Sequence, residues 1–215
     1  SENYHPANNQ PALSACPNRG QLRQATRQEF QTTAAHGSQT DKSTAANPID
    51  ETNERWEEIG ANPDWAFTSP PFPPFIHIMN CFKNLVSRHS STTFIGAHVG
   101  CYGENLGWVG QMLDDCPNYY IDFSARLGEL GRQPYTARKF FIQYQDRILF
   151  GTDASPDLDS YRLFYRFLET DDEYFNYNTS EVPGQGRWYV HGMYLPDDVL
   201  KKIYRGNAMK VLKIT

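Results

Sequence analysis

The sequence predicts an α/β protein with parallel strands, in a sheet or a barrel, and two observations carry that prediction. Thr93-Phe-Ile-Gly-Ala-His98-Val-Gly100 and Arg147-Ile-Leu-Phe-Gly-Thr-Asp153 are short, β-rich apolar runs, each ending on a residue type that binds metals. In parallel α/β barrels the side chains at the carboxyl ends of the strands face the site. Around these runs, strand-like and helix-like segments alternate every 25 to 30 residues or so, which is the βαβ rhythm.

The elements follow in order. Ile49-Asp-Glu-Thr-Asn-Glu-Arg-Trp-Glu-Glu-Ile59 sets Ile49, Trp56 and Ile59 among carboxylates and predicts a helix closed by Gly60. Asn62 to Phe67 and the prolines Pro70, Pro71, Pro73 and Pro74 predict a rigid loop. From Phe75 to His89, residues Phe75, Ile78, Met79, Phe82, Leu85 and Val86 recur at helical spacing, so a helix feeds the strand that ends at His98. A helix near Glu104 to Asp115, a strand from Tyr119 to Ser124, a helix from Pro134 to Tyr144 and the strand ending at Asp153 repeat the pattern, with right-handed crossovers expected. Ser160 to Leu168 reads as a helix and Asp171 to Val190 as an aromatic-rich excursion. Pro196 to Tyr204 and Asn207 to Leu212 read as closing helices.

Residues 1–46 differ from residues 47–215. They contain no Val, Ile, Met or Trp, and Leu13, Leu22, Tyr4 and Phe30 are their only sizeable apolar or aromatic groups. Such a segment buries little, so it is expected to be disordered or loosely docked, with one short helix from Gln21 to Phe30. The net charge is -5, and the first 46 residues carry four basic and three acidic groups. Neither part has the basic stripe of a nucleic-acid binder. No run approaches the length of a membrane span and no basic-then-apolar leader opens the chain, so a soluble cytoplasmic protein is expected. Cys16, Cys81, Cys101 and Cys116 form no Cys-x-x-Cys pair and are read as reduced thiols. Asn178-Thr-Ser180 matches the glycosylation triplet by chance on this reading.

Several segments together resemble a known family. Phe94-Ile-Gly-Ala-His-Val-Gly100, Asp122-Phe-Ser-Ala-Arg126, Glu129 to Arg138, Ile148-Leu-Phe-Gly-Thr-Asp153 and Ile203-Tyr-Arg-Gly-Asn-Ala208 are similar to the C-terminal portion of the amidohydrolase-related metal-dependent hydrolases. That family also contains aminocarboxymuconate-semialdehyde decarboxylase. The resemblance covers residues 47 to about 214 and implies a partial TIM-type (β/α)8 barrel in which the three strands are the sixth, seventh and eighth. It also implies a small-molecule substrate and one divalent ion, zinc by preference. The family opens with a His-x-His pair, and this sequence contains none. His36, in Thr32-Thr-Ala-Ala-His-Gly37, is the one candidate for the family's fifth-strand histidine, although no apolar run surrounds it. The expectation is therefore a truncated relative whose first half is missing.

The chemistry of the remaining residues points the same way. His98 offers an imidazole nitrogen at a strand end, as a metal ligand or as a core histidine bonded to backbone. By resemblance it binds the metal or polarises the substrate carbonyl. Asp153 delivers a carboxylate straight from a buried run, which is costly without a cation or proton partner, unless it caps the next helix instead. By resemblance it is the strand-eight metal ligand and general base. Arg126 suits a two-pronged contact with an anionic substrate or with a neighbouring acid, and Arg132 with Glu129 suits an internal pair. Three readings remain: a hydrolase, a decarboxylase of the same superfamily, and a non-catalytic remnant that acts only by association, as a homo-oligomer.

Overall fold

Three short parallel strands form one sheet in the order β1-β2-β3: β1 is Phe94–Gly96, β2 is Tyr119–Asp122 and β3 is Ile148–Leu149. The computed structural model describes residues 55–63, 73–178, 180–182 and 184–214. The predicted helix at Gln21 to Phe30, the first part of the helix beginning at Ile49, Cys16 and His36 lie outside the described residues. In register, Phe94, Ile95 and Gly96 face Tyr119, Tyr120 and Ile121, while Ile121 and Asp122 face Ile148 and Leu149. The predicted α/β alternation with parallel pairing is therefore what the described chain adopts.

Helix α1 (Trp56–Ala61) buries Ile59, and α2 (Phe75–Arg88) buries Met79 and Val86 on the stripe that the helical spacing marked out. The Asn118 side chain donates to the carbonyls of Val86, His89 and Thr92, fixing the exit of α2 and the entry to β1. After β1, α3 (Leu106–Asp115) is capped by Asn105, whose side chain accepts the Trp108 N–H at 3.0 Å. Helices α4 (Leu127–Gly131) and α5 (Pro134–Gln143, opened by its proline) join β2 to β3. Asp157 caps α6 (Leu158–Glu169) by accepting the N–H groups of Asp159 and Ser160.

The aromatic excursion closes on itself through an antiparallel bridge between Phe175 and Val190. Helix α7 (Asp197–Lys201), a π-helical turn (Lys202–Gly206) and α8 (Asn207–Leu212) then return to β3. There Ile203 accepts the Phe150 N–H at 3.1 Å, and Asn207 donates to the carbonyls of Gln145 and Ile148, both at 2.7 Å. Ile121, Phe123, Phe141, Ile148, Phe167 and Ile203 are sealed from solvent between sheet and helices. Each such side chain contributes about 1.5–3 kcal/mol on burial.

Two expectations are corrected. The strands are shorter than the apolar runs: β1 stops at Gly96, two residues before His98, and β2 stops at Asp122 rather than Ser124. Helix α4 was not expected, since the sequence reading placed no element between the strand ending at Ser124 and the helix opening at Pro134. The excursion packs on α4 so closely that a Cβ on Gly131 would fall 2.4 Å from Val190, which is why that position is glycine. No helix among the described residues is long and apolar enough to cross a membrane. None of Cys81, Cys101 and Cys116 is in a disulfide.

Candidate functional site

Non-glycine residues with positive φ mark the place to look. Nine occur among the described residues, and five of them stand just past the carboxyl ends of the strands: His98, Val99 and Cys101 after β1, Ala125 after β2 and Asp153 after β3. A left-handed conformation costs a non-glycine residue about 1–2 kcal/mol, so strain is stored where parallel strands present their side chains.

After β1 the chain makes a left-handed turn. His98 (φ 59°, ψ 42°), Val99 (φ 57°, ψ 40°), Gly100 (φ 62°) and Cys101 (φ 62°, ψ 22°) follow one another, closed by the Cys101 N–H on the carbonyls of Ala97 and His98. The buried Tyr119 ring from β2 lies beneath. Its hydroxyl would be 2.0 Å from a Cβ on Gly96 and 2.3 Å from one on Gly100, so both positions exclude a side chain. Burial, then the neighbouring Cys101, Asp122 and Cys116, push that phenol's pKa up, so it stays neutral.

Asp122 closes β2 and gathers the turn. Its Oδ1 accepts the His98 N–H (3.0 Å), the Ser124 N–H (3.0 Å) and the Ser124 hydroxyl (2.6 Å). On its other side it approaches β3, with its Cγ 3.2 Å from where a Cβ on Gly151 would be. The His98 ring then meets Ser124 twice, Nδ1 lying 2.9 Å from the Ser124 carbonyl oxygen and 3.1 Å from Oγ. A carbonyl oxygen can only accept, so Nδ1 carries the proton in the neutral ring and the lone pair is on Nε2. The same geometry excludes Ser124 as a nucleophile activated by His98, because its hydroxyl proton already goes to Asp122. His98 is thus bonded to backbone, as one sequence reading had it, in a way that orients the ring for the other.

Asp153 lies four residues past β3, which stops at Leu149 rather than running to Asp153 as expected, and it is exposed with φ at 54°. It does not cap α6, a role that falls to Asp157. With β2 between them, the ends of β1 and β3 are two strand spacings apart, about 10 Å. His98, Asp122 and Ser124 are in direct contact, and Asp153 follows β3 on the same side of the sheet as the residues that follow β1 and β2.

Arg126 lies lower. Only 2% of its side chain is exposed, and Nη1 donates to the Ala125 carbonyl at 2.7 Å. Ala125 is thereby held in its strained conformation, with its N–H on the Thr152 carbonyl at 3.1 Å and its own carbonyl also taken by the Gln185 side chain. Glu129, equally buried, lies 4.0 Å from Arg126 Nε and accepts Arg55 Nη1 at 3.1 Å. Its basic neighbours are thus Arg126 and Arg55, while Arg132 stacks over Trp188 at 5.2 Å. Glu129 Oε2 has no hydrogen-bond partner among the described residues, and burial outweighs Arg126 and Arg55 to raise its pKa. Sequence reading missed Ser124, Gln185 and Arg55. Ser124 stood within the quoted Asp122-Phe-Ser-Ala-Arg126 segment without a role, while Gln185 and Arg55 carry no local signal.

Elsewhere, His77 pairs with Cys81 on α2 at 3.6 Å, and His191 accepts the Tyr174 N–H at 3.4 Å. Among the described residues no group of three or more His, Cys, Asp or Glu side chains is placed to hold a metal ion. Zinc sites take three or four protein ligands, and His98 and Asp153 are two residues of suitable donor chemistry past the strand ends.

Comparison with protein families matches residues 34–214 to the amidohydrolase model, a span that takes in His36. Comparison with curated proteins and with solved structures gives no match. With most of its length matched and its polar residues gathered at the ends of parallel strands, the chain belongs to the amidohydrolase family, whose members are metal-dependent hydrolases and lyases typically built on TIM barrels.

Proposed function

We propose that this chain supplies the strand-end residues of a metal-dependent hydrolase acting on a small molecule, and that β1, β2 and β3 are the last three strands of a TIM-type barrel. The observation that carries the reading is the run of strained residues at adjacent strand ends, with His98 at one side and Asp153 at the other. A divalent ion, zinc by preference, lowers the pKa of a coordinated water to about 7 when bound.

His98 and Asp153 are the residues that would hold such an ion. His98 offers the Nε2 lone pair, so the neutral ring acts as ligand or base; donating a hydrogen bond to a substrate carbonyl would need the ring protonated. Asp153, exposed in the loop that follows β3, takes up and releases the proton at its carboxylate. Arg126 serves from beneath through the Ala125 carbonyl, and an anionic substrate meets it only where Glu129 gives it up.

The test is calorimetric titration of the chain with Zn2+. About one ion per chain is expected, with affinity reduced at least about tenfold in both His98→Gln and Asp153→Asn, since each removes one donor from a small set. Equal binding by either variant overturns the assignment. Product analysis separates hydrolysis from the carboxy-lyase chemistry of the same superfamily.

A second reading, association without catalysis, is supported by the sheet. Among the described residues β1 and β3 each pair on one side only, and Ile95 on β1 is exposed. A metal-free chain that self-associates in light scattering would favour it.

A further inference from the structure

We infer that Asp122 and Ser124 are positioning residues for His98, setting which nitrogen of its ring faces outward; the inference deepens the hydrolase reading and rests on it only for the use to which that nitrogen is put. One carboxylate oxygen of Asp122 performs two tasks. It holds the His98 N–H at 3.0 Å and so pins the first residue of the left-handed turn. It also takes the Ser124 N–H and hydroxyl, at 3.0 and 2.6 Å, and so fixes the two Ser124 oxygens that clasp the ring. Because its proton is committed to Asp122, the Ser124 hydroxyl meets Nδ1 as an acceptor, alongside the Ser124 carbonyl. Both oxygens ask for the same thing, a proton on Nδ1.

Neutral histidine in water favours the opposite tautomer, with the proton on Nε2. The clasp reverses that preference and leaves Nε2 as the basic nitrogen. Backbone and ring are set by one side chain, so tautomer and strained turn stand or fall together. Orientation of a functional histidine through its other nitrogen is how such rings are made specific, and here the orienting carboxylate works through a serine rather than by touching the ring.

The experiment is nitrogen NMR of the full chain labelled in its six histidines, near pH 8 with chelator present, the His98 signals being those lost in His98→Gln. No substrate or metal enters, so the result is independent of whether the chain hydrolyses anything. In the unaltered protein the Nδ1–H tautomer is expected, with its proton protected from solvent exchange; an Nε2–H ring overturns the inference. Asp122→Ala, checked for folding by near-ultraviolet dichroism, should shift His98 toward Nε2–H, and a folded variant that keeps Nδ1–H overturns it. Ser124→Ala supplies a second readout should Asp122→Ala fail to fold. Its carbonyl keeps the tautomer, while loss of one hydrogen bond should speed Nδ1–H exchange about tenfold. Unchanged exchange overturns the clasp.

Discussion

The molecule has two polar centres, and they are built in opposite ways. At the strand ends, His98, Asp122 and Ser124 are joined by short hydrogen bonds in which one carboxylate oxygen is satisfied three times. Below them, Arg55, Arg126 and Glu129 bury charge, and one Glu129 oxygen has no hydrogen-bond partner among the described residues. The upper centre spends backbone strain to present a ring. The lower one ties the residue before α1 to α4 and steadies the Ala125 carbonyl. The difference teaches that the two centres use charge differently, since Arg126, the arginine that stands out in the sequence, is buried beside Glu129 while His98 follows a strand end.

The sharpest way to break this contrast is Arg126→Met. Removing one partner of a buried ionic cluster costs about 3–5 kcal/mol, read as a fall in the urea unfolding midpoint. A midpoint unchanged alongside a raised KM would move Arg126 to the upper centre.

The acidity of Glu129 gives the next test. Burial raises its folded pKa above the ordinary glutamate value of 4.5. The folded chain therefore holds the proton longer than the unfolded one, and this group's contribution falls as pH rises from the unfolded value to the folded value, then levels. The pH dependence of stability should lose that decline in Glu129→Gln, measured as the difference between the two unfolding curves.

Tyr119→Phe probes the packing under the upper centre and should have the reverse sign. The buried hydroxyl has no hydrogen-bond partner among the described residues, so deleting it should stabilise the fold by about 1 kcal/mol. A loss of stability instead would reveal a partner such as a trapped water. Smallest of all, Asp153→Asn changes an exposed residue and should leave the urea midpoint within about 0.5 kcal/mol while weakening zinc binding.

The alternation of strands and helices was legible because buried faces repeat with fixed periods: the α2 stripe through Met79 and Val86 is one example. The ends of the strands were legible as places, since His98 and Asp153 close apolar runs. What the sequence hid was backbone handedness. Nothing in Ala-His-Val announces a left-handed turn, because β-branched Val99 disfavours one and only the surrounding contacts impose it. Helix α4 was hidden by its glycines, whose reason lies in the excursion some 60 residues later. Gln185 and Arg55 act across long separations, and no local pattern encodes a partner that far away.

The seat of Tyr119 under Gly96 and Gly100 has one more consequence. The phenol occupies the volume that two side chains would otherwise fill, so these three positions behave as one unit of inheritance spread over 24 residues. A larger residue at either glycine demands a smaller one at 119, and a smaller one at 119 opens a void beneath the histidine turn. In a population of related chains, the three positions should be exchanged together or left alone.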